Sequence, residues 1–336
     1  MPHLKPPIKA AVVGYGPAFN MGKHHASSME ATGRIKVVAV CDVDEARLKA
    51  AREELGAVRT YTSVARLARD DEVQLAAIVV PHNVHLKTAL PLLQAGKHVV
   101  VEKPMALSIA QCNRMIEAAR KAGVTLSVYH NRRHDGDFLA IKDVIKKGYI
   151  GEVFHLEAHA GGYGRPREWW RSDKKVSGGA FYDWGAHFMD WVLHLVPGKM
   201  KTVSGQFQKR VWDHVTNEDH CEAYIRFDSG AAAHVQLSSI SAATKPRWYI
   251  LGTTGAIVDN GGSQFTVYTR ACDYTASFQV PYYQSTWASY YEMLADHLTK
   301  NAPNPVTPES ARRVIAVIEL AERASRTGRE QRVPHE

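Results

Sequence analysis

From Lys9 to Tyr129 short apolar runs alternate with amphipathic stretches, and that alternation admits few folds. The apolar runs cover residues 10–13, 35–42, 75–80, 99–102 and 125–129. Between them the spacing predicts a helix reaching Ala31 and others over 44–55, 63–69, 85–94 and 108–121, several followed by a stop glycine such as Gly33, Gly56, Gly96 or Gly123. The run Val99-Val100-Val101 is apolar on both faces, so its strand must be covered on both sides. Strictly alternating units of this kind pair in parallel through right-handed crossovers. The fold class expected is α/β, with a doubly wound parallel sheet over residues 1–130.

After about residue 131 the rhythm changes. Helices are predicted at 138–147 and 180–196, and long strands at 153–159, 202–211, 222–227 and 231–239. Asp228-Ser229-Gly230 and Asn260-Gly261-Gly262 have hairpin-turn chemistry. Two helices, over 285–299 and 308–325, finish the chain. A second domain, 131–336, is therefore expected to be α+β with an open, mainly antiparallel sheet. One face of such a sheet is left without helices, which favours association into a homodimer or homotetramer.

Composition removes several classes of function. With 336 residues and 45% apolar content the chain is expected to be soluble and cytoplasmic, with no membrane partner. No run approaches the ~20 apolar residues of a membrane span, and the start lacks the apolar core of a signal peptide. Cys41, Cys112, Cys221 and Cys272 show no paired spacing, so neither disulfides nor a zinc site is indicated. The net charge of +8 is spread along the chain without a basic tail, which argues against nucleic acid and leaves room for an anionic ligand.

Chemistry-bearing residues collect where strands end. Gly14-Tyr15-Gly16 follows the first strand directly and leads into a helix, where tight turning lets a pyrophosphate approach free N–H groups. The third glycine of a regular dinucleotide turn is replaced by Phe19; the nearest substitute is Gly22, with Asn20 in the widened loop. Asp42 ends the second strand, where a carboxylate accepts from ribose hydroxyls and repels a 2'-phosphate, so NAD is expected rather than NADP. Pro81, His82 and His85 end the next strand at the same edge, where opening a helix is the stronger reading for His85. Glu102, Lys103 and Pro104 end the all-valine strand; taken alone, such a pair is also an ordinary solvated strand end. Asp183 and His187, in Ser-Gly-Gly-Ala-Phe-Tyr-Asp-Trp-Gly-Ala-His, are four apart and share a helix face. Asp190 and His194 lie nearby, yet no third ligand is compellingly placed, so no metal is expected.

The order of these motifs, a glycine-rich first turn, Pro-x3-His, Glu-Lys-Pro and Gly-Gly-x3-Asp-x3-His, resembles that of the Gfo/Idh/MocA oxidoreductases. The resemblance runs from about Ile8 to Val333 and implies an N-terminal Rossmann domain, a C-terminal α/β domain that oligomerises through its open sheet, and a nicotinamide cofactor. By matching position it implies catalytic roles for Lys103, Asp183 and His187, and contact of Glu102 with the nicotinamide ribose. Two departures are the widened glycine loop and His82, where the family often carries Asn.

The residues suit alcohol oxidation in their own right. An imidazole has the ordinary pKa to take the hydroxyl proton as hydride leaves, which suggests His187 as base. Lys103 can donate to the developing alkoxide and Asp183 can orient hydroxyl or imidazole; a lysine base remains open. The segment 161–175 carries aromatics and arginines suited to sugar rings and anions, so Tyr163, Arg165, Trp169 and, after the last Rossmann strand, Arg132 are candidate substrate contacts. The expected reaction is hydride transfer between NAD and a secondary hydroxyl of a sugar, cyclitol or sugar derivative, anionic or neutral. A redox glycosidase that oxidises, eliminates and re-reduces, and a non-catalytic sugar or nucleotide sensor, are the alternatives.

Overall fold

The structure is a computed structural model and describes residues 4–334 and 336. In chain order its elements are β1 (Ile8–Val13), α1 (Met21–Glu30), β2 (Ile35–Cys41), α2 (Glu45–Leu55), β3 (Arg59–Tyr61), α3 (Val64–Ala68), β4 (Leu75–Ile78), α4 (His85–Gln94), β5 (His98–Glu102), α5 (Ile109–Ala122) and β6 (Leu126–Tyr129). They continue with α6 (Gly136–Lys146), β7 (Val153–Gly161), α7 (Lys174–Ser177), α8 (Ala186–Leu195), β8 (Met200–Gln208), β9 (His220–Phe227) and β10 (Ala232–Ser238). The rest are β11 (Trp248–Gly252), β12 (Gly255–Asp259), β13 (Gln264–Ala271), β14 (Tyr274–Pro281), α9 (Ser289–Lys300), α10 (Pro308–Thr327) and β15 (Gln331–Arg332).

The first six strands make one parallel sheet in the order β3-β2-β1-β4-β5-β6. Val99, Val100 and Val101 are buried, as a central strand requires. The helices end and begin where local chemistry directs. Asp44 accepts from Ala46 N at 2.8 Å to cap α2, Ser108 accepts from Gln111 N at 3.2 Å to cap α5, and Gly123 closes α5 in the left-handed region. Strand order reverses between β1 and β4, and the carboxyl ends there form the crevice in which such sheets bind ligands.

The second sheet runs β14-β13-β12-β11-β7-β10-β9-β8-β15, antiparallel except for the β7–β10 pair. Cys221, Ala223, Ile225 and Phe227 of β9 and Ala233, Val235 and Leu237 of β10 point to one buried face, while the alternate residues stay part-exposed. On the buried face Trp191 of α8 meets Phe188 at 5.3 Å and Trp248 of β11 at 5.6 Å between ring centres.

The chain forms two compact units, and neither is continuous in sequence. Residues through Asn131 belong with Ala288–Arg312, and Arg132–Trp287 with Arg313–Glu336. The change of rhythm in the sequence marks a second domain unbroken over 131–336. The stretch that departs from it carries α9, whose Tyr290 donates to Ser127 Oγ of β6 at 2.8 Å and whose Asp296 accepts from Arg34 at 2.5 Å.

Candidate functional site

At the end of β1, Gly14 has φ +98°, and a Cβ there would lie 2.1 Å from Val79 O, so only glycine fits. Gly22, in the first turn of α1, would bring a Cβ within 2.6 Å of Gly14 O. It thus does the close-packing work that the third glycine of a regular turn would do, three residues later. A Cβ on Gly16 would meet nothing within 4 Å, so the chain itself makes no demand for glycine there and the space beside the turn stays open for a ligand. Asn20 precedes α1 in the left-handed region, exposed, and no side chain caps the helix start. First-turn N–H groups at such a start suit an anion. Asp42 binds the same loop: Oδ2 accepts from Tyr15 N at 2.7 Å and Oδ1 from Asp44 N at 3.0 Å, leaving each oxygen one further acceptor direction. This set fits a dinucleotide.

The end of β5 is more deeply set. Lys103 is 8% exposed and joined to Pro104 by a cis peptide bond. Glu102 Oε2 accepts from Lys103 N at 3.0 Å, and Oε1 lies 3.0 Å from His25 Nε2. Burial pushes the Glu102 carboxyl up, but His25 and the neighbouring Lys103 outweigh it and hold the group below the usual carboxylate range. Glu102 is therefore an ionised acceptor. Of the histidines at the β4 end, His82 is buried with its ring 5.8 Å from that of His85. His85 is wholly buried, with Nδ1 2.9 Å from Pro104 O and Nε2 2.9 Å from Val80 O. Burial lowers the pKa of this ring, and its two nitrogens face backbone carbonyls at the ends of β4 and β5. Pro81 stays exposed at the head of this turn.

In the second unit Asp183 lies in a turn of wider, π-type winding, Phe181–Gly185, that leads into α8. Such turns break the regular helix ladder and are frequent at functional sites. His187, 6% exposed, lies flat against Trp191 at 6.2 Å and edge-on to Trp184 at 5.7 Å. The Asp183 carboxylate takes a 2.7 Å hydrogen bond from Arg171 Nη1. Arg171 stands over Trp169 and Trp170, at 5.5 and 5.1 Å from their ring centres, and its carbonyl is held by Asn217. Arg132 has its guanidinium 4.7 Å from the Trp184 ring and 5.3 Å from the Trp287 ring, and is paired to Asp135 at 2.9 Å. Trp287 Nε1 donates to the same Asp135 at 2.5 Å. The result is an imidazole and a carboxylate one turn apart, beside aromatic plates and guanidinium donors.

Of the segment 161–175, Trp169 alone among the three chosen contacts joins this group. Tyr163 is 60% exposed and packs on Trp212, and Arg165 is paired with Glu168. Arg171, Trp184, Trp287, His25 and Tyr291 were not among the residues expected to act. Trp184 and Arg171 stood inside the quoted motif and loop, whereas the others carry no local signal. Among the described residues no three His, Cys, Asp or Glu side chains gather as a metal set. Asp190, the acid nearest in sequence, takes 2.8 and 2.6 Å bonds from Arg133.

Residues 8–130 match the family model described as the GFO_IDH_MocA oxidoreductase family, NAD-binding Rossmann fold, and residues 138–258 match the C-terminal domain model of the same family. The NADP(+)-dependent scyllo-inositol 2-dehydrogenase of Bacillus subtilis is 25% identical over 98% of this chain and 96% of its own. The NAD(+)-dependent scyllo-inositol 2-dehydrogenase of the same organism is 27% identical over 90% of this chain and 88% of its own. An NAD-binding protein from Listeria innocua, of solved structure, superposes with a TM-score of 0.85 at 28% identity, covering 97% of each chain.

Proposed function

Because the chain belongs to the Gfo/Idh/MocA oxidoreductase family, with an NAD-binding Rossmann domain, we propose that it oxidises a secondary hydroxyl of a sugar, cyclitol or sugar derivative. The observation that carries this reading is the buried His187, beside Trp184 and Trp191, with Asp183 one turn away on a guanidinium. NAD, when bound, supplies the hydride acceptor. Gly14, Gly16, Asn20 and Gly22 shape its phosphate loop, Asp42 receives hydroxyls of the adenosine ribose, and Glu102 those of the nicotinamide ribose. His187 takes the hydroxyl proton, Lys103 donates to the oxygen as negative charge develops on it, and Asp183 orients the group that reacts. Trp184 and Trp169 offer flat faces to a ring, and Arg132 and Arg171 offer donors to its hydroxyls or to an acidic substituent. The inositol dehydrogenases among the relatives support a cyclitol-like ring.

Purified protein incubated with NAD or NADP and a panel of inositols, free sugars, sugar acids and aryl glycosides tests the reading. Net NADH formation with at least one ring polyol is expected, with NAD preferred. Release of the aglycone without net NADH would replace the dehydrogenase with a redox glycosidase, and binding without either product would leave a sensor.

A further inference from the structure

A polar cluster lies beneath the end of β5, entirely within the first unit. His25 of α1 is wholly buried; its Nδ1 is 2.5 Å from Tyr291 Oη and its Nε2 3.0 Å from Glu102 Oε1. The carboxylate is acceptor-only, so Nε2 carries a proton and donates to it. Tyr291 Oη at Nδ1 and Glu102 at Nε2 thus engage both ring nitrogens. The imidazole is also packed, with the Tyr129 ring centred 4.3 Å away and the Tyr291 ring edge-on at 5.8 Å. Glu102 Oε2 is held by Lys103 N, so each carboxylate oxygen is fixed by one N–H and keeps a second acceptor direction. A buried polar pair is no better than an apolar pair of the same shape for joining α1 to β5, so cohesion alone does not account for it.

We infer that His25, held from its other side by Tyr291, is a positioning residue that keeps the Glu102 carboxylate in the orientation that receives the nicotinamide-ribose hydroxyls. This rests on the reading above, in which Glu102 contacts NAD. The donor fixes the carboxylate before the cofactor arrives, so the hydroxyls meet an acceptor that needs no reordering. His25 acts only through Glu102 and touches no substrate.

NAD dissociation constants of the full chain, measured by calorimetry, test this. Glu102→Ala is expected to weaken NAD about tenfold or more, as loss of a charged acceptor does. An unchanged affinity would overturn the assignment of Glu102 to the ribose, and this inference with it. Given that loss, His25→Leu is expected to weaken NAD about tenfold, and His25→Gln, whose amide can still donate, by less than about threefold. In the Glu102→Ala background His25→Leu is expected to add less than about twofold, because the two residues form one interaction. An equal loss in both backgrounds, or a neutral His25→Leu beside a damaging Glu102→Ala, would overturn the inference while leaving the cofactor assignment standing. Should His25→Leu not fold, His25→Met, whose flexible chain fills irregular gaps, carries the same cycle.

Discussion

Asp219 shows how single groups hold the second unit together. Its side chain is buried at the β8–β9 connection and accepts from Arg210 N and Val211 N at 2.6 Å, Trp212 N at 3.2 Å and Lys209 Nζ at 2.9 Å. Burial pushes the carboxyl up, but these donors outweigh it and bring it down to about 2. A carboxyl lowered in the folded state adds stability that is complete above its unfolded value near 4 and is lost as pH falls towards about 2. The contribution at pH 7 is about 2 kcal/mol, and roughly half of it is gone by pH 3. Asp219→Asn is therefore expected to cost about 2 kcal/mol in urea unfolding at pH 7 and clearly less at pH 3; a pH-independent cost would contradict the account. The proposed reaction gives Lys103 and His187 a part in one proton transfer, and their replacements test it. Lys103→Ala and His187→Ala should each lower turnover by ~10²–10⁴-fold, and the double variant should lose far less than the product of the two. Losses that simply multiply in steady-state kinetics would separate the two residues into different steps.

At the scale of elements, the glycine turn and α1 form one device in which two glycines do different work. Gly22→Ala adds a methyl 2.6 Å from the Gly14 carbonyl oxygen. Helix propensity favours the alanine by about 1 kcal/mol, but backbone crowding of this kind costs about 1–3 kcal/mol, so lower thermal stability is expected. Gly16→Ala meets no chain atom within 4 Å and should leave the melting temperature in place while weakening NAD. Calorimetric melting and NAD titration of both variants check this, and the reverse pattern would show that Gly16 is the structural glycine. Elements were legible wherever a motif is continuous with its strand. Gly14, Asp42, Pro81 and Glu102 each follow an apolar run, so the shared carboxyl edge could be read from order alone. Contacts that close over long sequence distances could not. His25 and Tyr291 are 266 positions apart, and nothing in either helix's periodicity names the other. Arg171 reaches Asp183 from a single 3₁₀ turn, Trp170–Ser172, too short for side-chain direction to show a period. Periodicity likewise identified α9 as a helix without saying which sheet it covers.

For the whole molecule, the second sheet raises the question of what meets its uncovered side. Across β7, β10, β9 and β8 that face presents His155, Glu157, His234, Gln236, Glu222, Tyr224 and Ser204, all part-exposed. Polar groups already pair there: His234 lies 3.1 Å from Glu222, and the Lys245 ammonium lies 3.5 Å from the Glu157 carboxylate. Six of the nine strands have 7 to 9 residues and are about 25 Å long, β11 and β12 have five and β15 two, and nine strands at about 4.8 Å spacing span about 40 Å. The resulting area is about that of one side of a specific protein interface, ~800 Å² per partner. A mixed polar and aromatic face of this size, carrying both signs of charge, can meet its own copy across a twofold axis. We therefore expect a stable homo-oligomer joined through this face, dimeric or tetrameric. Multi-angle light scattering at micromolar concentration should give a multiple of the 37.3 kDa chain mass. Tyr224→Glu, placed beside Glu222, should shift the mass towards the monomer with the circular dichroism unchanged, because like charges directly opposed across an interface disfavour it. A monomeric unmodified protein would defeat the expectation outright, and an oligomer indifferent to Tyr224→Glu would move the contact to another surface.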